Sequence, residues 1–274
     1  MRFGWRCVHS GVPPPRPPDP CHTGGVQRSA IRPSPLFLGL VALTVGAAFL
    51  TLLEDETASR AGVFLLVLGG WAVSLCLHEF GHAIVAFRGG DREVYFKGYL
   101  TLDPRRYTDP VLSLLLPLLF VAIGGIPLPG GAVWINHHAL RSRAVESSVS
   151  LAGPFTNLVL AVLLVVSVNA FEPNPVLAAG LTFLAFLQLM AFVLNILPVP
   201  GLDGWGAIEP FLSREAQAFG AKARPWAPLI LFAALIGVSG VNAVFYDIVS
   251  ALFSAIGGDE FLSIAGRALF FFWR

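Results

Sequence analysis

The stretch "CLHEFGHAIV", residues 76–85, places His78, Glu79 and His82 inside an apolar run long enough to cross a membrane. Each of these groups costs at least a few kcal/mol at mid-bilayer if left unpaired. Histidines four apart project from one face of a helix. Their ring nitrogens can therefore share one Zn²⁺ at about 2.0–2.1 Å. Glu79, about 100° further round, can reach a metal-bound water without being a ligand. The competing readings are a polar network between helices, a haem site or a proton relay. The apolar setting favours a metal.

Outward from this motif, composition supports a membrane protein. The chain has 274 residues, is 55% apolar and only 13% charged, and has a net charge of +1. Soluble domains average about 25% charged residues. Mean hydropathy is +0.71. Apolar runs lie at 35–53, 62–87, 111–128, 150–170 and 176–197, and a last one begins near Trp226. Runs of this length can span a hydrocarbon core of about 30 Å. The small net charge excludes nucleic-acid binding by electrostatics. Of 18 basic residues only Lys97 and Lys222 are lysine, a bias that points to a bacterial source. Cys7, Cys21 and Cys76 show no zinc-ribbon or disulfide spacing.

The fold expected is all-α and polytopic, a bundle of about five to six transmembrane helices. Residues 1–34, rich in Pro and Arg, are expected to be a disordered tail. Residues 35–256 form the integral membrane domain, with its motif core at 62–205. Residues 257–274, ending in "ALFFFWR", suggest an interfacial segment. Alternation in "EVYFKGYLTLD" suggests short β elements between the His78 helix and the next.

Basic residues set the orientation. With a cytoplasmic N-terminus, and with 111–128 not crossing fully, fifteen of sixteen loop Lys and Arg residues face the cytoplasm. If 111–128 crosses, Arg141, Arg143, Arg214, Lys222 and Arg224 move outside. Pro117, Gly124, Gly125 and Pro127 break this run. It is therefore expected to be re-entrant or membrane-associated, buried against protein.

A catalytic zinc usually takes three protein ligands. No acidic or thiol side chain occurs in 150–170 or 176–197. The nearest candidate is Asp203 in "NILPVPGLDGW", where prolines end the helix and glycines permit tight turns. Alone, this segment reads as an ordinary helix-ending loop.

Together these residues resemble the site-2 protease family of intramembrane zinc metalloproteases. That family pairs HExxH with a downstream N-x-x-P-x-P-x-L-D-G, matched here by Asn195, Pro198, Pro200, Leu202, Asp203 and Gly204. "SLAGPFTNLVLA" at 150–161 is similar to the family's G-P-x-x-N helix, and "GGIPLPGGAVWI" to its membrane-associated segment. The resemblance covers about 62–205, in a short form with no room for an inserted PDZ domain or a C-terminal CBS pair. It implies one Zn²⁺ per chain held by His78, His82 and Asp203, with Glu79 as catalytic base. Asn157 and Asn195 are candidates for binding substrate backbone or oxyanion, or else for helix-to-helix hydrogen bonds. His137 and His138 fall in a loop and are read as surface residues. Trp205 departs from the small or polar residue usual after the D-G pair, which bears on the substrate entrance.

The function implied is hydrolysis of transmembrane segments of single-pass or other membrane proteins, in a bacterial plasma membrane. The alternatives are a membrane metal transporter and an inactive, protease-like scaffold that binds substrates. A transporter should line several spans with charge, whereas residues 150–170 and 176–197 carry none. The intact Glu79 argues against the scaffold.

Overall fold

A computed structural model describes residues 31–106 and 133–273. The expected tail (save 31–34) and the expected re-entrant run 111–128 lie outside the described residues. All regular structure among the described residues is helical. The helices are α1 (Pro35–Leu50), α2 (Glu56–Gly89), α3 (Glu93–Phe96), α4 (Arg143–Phe171) and α5 (Pro175–Ile196). They continue with α6 (Asp203–Ile208), α7 (Arg214–Ala223), α8 (Ala227–Gly237), α9 (Ser239–Ala255) and α10 (Glu260–Phe270).

Three of them, α2, α4 and α5, are long and apolar enough to cross a membrane. Two bent pairs, α7 with α8 at 62° and α9 with α10 at 119°, raise the number of candidate spans to five if each pair counts as one. At 16 residues α1 is shorter than the roughly 20 residues a perpendicular span needs. Helix α2 has 34 residues, about 51 Å at 1.5 Å per residue. Asp55 caps it by accepting from the Ala58 amide.

Small residues let these helices meet closely, as membrane packing favours. A Cβ on Gly69 would lie 2.5 Å from Thr44 Oγ1 of α1. One on Gly81 would lie 2.9 Å from the Ala152 carbonyl of α4, and one on Gly70 2.4 Å from Leu184 of α5. Thus α2 is the central element, touching α1, α4 and α5 through different glycine faces. The main core gathers Trp71 and Leu75 of α2, Val165 of α4 and Leu189 and Leu194 of α5.

One expectation is corrected. The segment read as short β elements forms α3 and two 3₁₀ turns, at Tyr99–Thr101 and Pro104–Arg106. Gly98 and Leu102 both take left-handed backbone angles, at φ +76° and +57°, which no strand tolerates. Arg105 donates to both oxygens of Asp103 and holds that carboxyl below the usual carboxylate range. The C-terminal aromatic run, expected to be interfacial, packs partly against the bundle. Phe270 and Phe271 are buried, and Phe270 stacks on Phe64 of α2 at 5.2 Å; Phe272 and Trp273 are about half exposed.

The chain leaves the described residues after Arg106 and returns at Val133. Both approaches pack on one cluster, Leu102 and Val133 against Phe37 and Cys76. This brings the Val133 segment beside the second half of α2, where the ionisable residues lie.

Candidate metal centre

His78 and His82 lie one turn apart on α2 and are both buried. Their Nε2 atoms are 3.1 Å apart. Asp203, the first residue of α6, places Oδ2 3.2 Å from His78 Nε2 and Oδ1 3.5 Å from His82 Nε2. It is the one grouping of three metal-capable side chains found among the described residues. Ligand atoms 2.0–2.1 Å from a tetrahedral ion sit about 3.3–3.4 Å apart. With one oxygen taken from Asp203, the three ligand atoms lie within 4.8 Å of one another, close enough to share one ion after a small adjustment.

Hydrogen bonding fixes which nitrogens face inward. His82 Nδ1 lies 2.7 Å from the Val149 carbonyl, which can only accept. His78 Nδ1 donates to Asn157 Oδ1 at 3.1 Å. A neutral imidazole that donates through Nδ1 presents a lone pair at Nε2. Two such lone pairs and a carboxylate therefore converge on one point within an apolar bundle. Without a cation this arrangement is repulsive; a divalent cation relieves it. The same outer partners are those that orient metal-binding histidines generally.

Helix α4 supplies those partners. Pro154 has no N–H, so the Ser150 carbonyl loses its usual helical donor. The neighbouring carbonyl, Val149, is the one His82 uses. Gly153 faces the triangle itself. A Cβ there would lie 2.2 Å from His82 Nε2 and 2.5 Å from His78 Nε2. Any side chain at 153 would fill the space before both nitrogens. The G-P-x-x-N pattern thus has two duties visible at the site: Gly153 leaves room, and Asn157 orients His78.

Asp203 is held by a turn that follows α5. Gly201 is left-handed at φ +99°, and Leu202 donates its amide to Val199. A Cβ on Gly204 would lie 2.1 Å from the Ile196 carbonyl, so the turn folds directly onto the end of α5. On the other side α6 meets α4, where a Cβ on Gly206 would touch Ser150 Oγ at 2.7 Å. Trp205 packs across α7 at Gly220, whose Cβ would lie 2.4 Å from the indole ring. The residue that departs from the family pattern therefore ties α6 to α7.

Glu79 is 3% exposed. Its Oε2 accepts from the Val133 amide at 3.1 Å. Sequence reading gave no signal for that contact, because it spans 54 residues with no paired side chain. Asn157 is placed behind His78. Asn195 is buried near the end of α5. His137 is exposed and pairs with Glu146 at 2.8 Å.

No family model matches the chain, and no solved structure matches it. Over 252 residues it is 50% identical to the "Putative zinc metalloprotease Rip2" of Mycobacterium tuberculosis, covering 90% of this chain and 96% of that protein. It is 48% identical over 251 residues to the protein of that name in Mycolicibacterium smegmatis, with the same coverage. The "Putative zinc metalloprotease YwhC" of Bacillus subtilis is 30% identical over 201 residues, 67% of this chain and 89% of that protein.

Proposed function

The chain belongs to the site-2 protease family of zinc metalloproteases, and on that premise we propose that it hydrolyses peptide bonds of membrane-embedded segments. The observation that carries this reading is a His–His–Asp cluster whose two histidines, with Glu79 between them, lie on a helix apolar enough to span a bilayer. The substrate class is membrane proteins, single-pass ones included. The enzyme sits in the plasma membrane with a cytoplasmic N-terminus, and the membrane domain covers 35–256.

His78, His82 and Asp203 would hold one Zn²⁺, which when bound supplies Lewis acidity toward water and the scissile carbonyl. Glu79 is the general base: it takes the proton from the attacking water and returns it to the leaving amine. The Val133 amide on Oε2 fixes the position of the carboxylate. Asn157 keeps His78 in the tautomer with Nε2 free. Asn195 is the remaining candidate for holding substrate backbone. A substrate helix must unwind locally before its carbonyl is reachable, because helical carbonyls are already hydrogen-bonded.

The test is purified Glu79→Gln protein beside wild type, on a panel of model transmembrane segments. Wild type should carry about one zinc by elemental analysis and cleave some member of the panel. The variant should keep its zinc and lose roughly 10²–10⁴-fold in rate, the usual worth of a general base. Full activity in Glu79→Gln would overturn the assignment.

A further inference from the structure

The amide that meets Glu79 belongs to residues 133–136, a stretch outside the helices. A second amide of this stretch is also held by a carboxylate: Asn136 donates its backbone N–H to Asp91 Oδ2 at 2.8 Å. Asp91 Oδ1 accepts from the Glu93 amide at 2.9 Å. Asp91 is 0% exposed. A buried carboxylate is costly unless its oxygens are met, and here each oxygen is met by a backbone N–H. Asp91 lies just beyond the end of α2 and has no part in the chemistry described so far.

The spacing acts as a ruler. Helix α2 ends at Gly89, and Gly90 turns the chain at φ +129°, an angle that favours glycine. Gly90 donates to the Phe87 carbonyl at 3.4 Å and Asp91 to the Ala86 carbonyl at 3.0 Å, the paired bonds of a Schellman helix end. Asp91 is thereby folded back beside the last turn of α2. Ala86 is two turns on from Glu79 and on the same face, about 10.5 Å away at 1.5 Å per residue. From Val133 to Asn136 an extended chain covers about 10 Å at 3.3 Å per residue. The two lengths agree. Side chains also alternate as in an extended segment: Val133 and Ile135 pack on the cluster of Ala83, Ala86 and Phe87, while Trp134 between them is half exposed.

We propose that Asp91 is a positioning residue for the Glu79 base: it sets the register of 133–136 along α2, and that register brings the Val133 amide to Glu79 Oε2. The inference rests on the proteolytic reading above. Between Val133 and Asn136 the backbone is tied to α2 by these two carboxylates, and the next backbone bond to the helix is Arg141 to the Gly89 carbonyl at 3.1 Å. Aspartate suits the task because two amides need two acceptors. Asparagine is nearly the same size but has one oxygen; whichever way it turns, its NH₂ faces a backbone N–H. Proline at 136 removes the N–H from the other side. The backbone there, at φ −84°, is close to what proline adopts.

Two measurements on the full chain in detergent micelles test this. The first is hydrogen exchange at the Val133 amide, without substrate. Asp91→Asn and Asn136→Pro should each speed it about fivefold to tenfold, the worth of one hydrogen bond. Unchanged protection in both variants overturns the proposal. The second is cleavage of a model transmembrane segment. Both variants should keep their zinc and their KM and lose about 10–100-fold in kcat, less than the roughly 10²–10⁴-fold worth of the base itself. The loss in Asn136→Pro should far exceed that in Asn136→Ala, which keeps the N–H. In a Glu79→Gln background Asp91→Asn should slow the residual rate no further, because no base remains to be positioned. Loss of zinc, a raised KM with kcat unchanged, or the same fold-loss in the Glu79→Gln background would make Asp91 a purely structural residue and overturn this inference alone. Cleavage of no segment by wild type overturns the proteolytic reading beneath it, and the exchange measurement still decides whether Asp91 sets the register.

Discussion

The two halves of α2 handle buried polarity in opposite ways. In the second half, His78, Glu79 and His82 each have a hydrogen-bond partner from a distant segment: Asn157, the Val133 amide and the Val149 carbonyl. What is left over is a convergent set of lone pairs that a bound metal ion would satisfy. In the first half, Gln188 donates to Ser74 and Ser74 to the Trp71 carbonyl, and the buried Gln188 Oε1 is left without a partner. Both are buried in an apolar bundle, where an unmet polar group is costly. The difference teaches that the polar groups of the candidate metal site are oriented by distant segments, whereas those of the first half are met by near neighbours and incompletely.

The contrast can be broken most severely at Gly153. Gly153→Ala puts a methyl before both Nε2 atoms, and purified protein should lose its stoichiometric zinc by elemental analysis. Retained zinc would mean that α4 can withdraw from the triangle. A smaller effect is expected at the outer partner. Asn157→Ala should weaken zinc about 10–100-fold, the usual consequence of removing a ligand's orienting group. Competition with a graded chelator would measure it. If zinc were unchanged while cleavage fell, Asn157 would be acting on substrate, as the sequence also allowed. The smallest effect belongs to the first half. Gln188→Leu should change stability by no more than about 1 kcal/mol, since interhelical hydrogen bonds in membranes average about 0.6. Unfolding in mixed micelles would show it. A large loss would mean that the Gln188–Ser74 bond holds α5 to α2 more strongly than such bonds usually do.

One error of the sequence reading has a plain cause. Alternating residues in "EVYFKGYLTLD" suggested strands, yet the left-handed angles at Gly98 and Leu102 break the extended backbone into short turns. At the aromatic C-terminus the structure adds what composition could not: α10 is bent by 119° from α9 and packs Phe270 against Phe64 and Phe183.

By itself the sequence determined that this is a membrane protein, and that His78, Glu79 and His82 share one helical turn. The physical reason is local: helical spacing and the cost of charge in hydrocarbon leave few other readings. It also pointed to Asp203 by elimination, as the nearest acid at compatible depth. Only the tertiary structure decided that one ligand atom from each of His78, His82 and Asp203 comes within 4.8 Å of the others. The same holds for Gly153 being vacant space, for Val149 and Asn157 aiming the two rings, and for Gln188 Oε1 being buried without a partner. Those facts depend on backbone carbonyls, missing side chains and the meeting of segments dozens of residues apart. None of them leaves a residue-type signal along the chain.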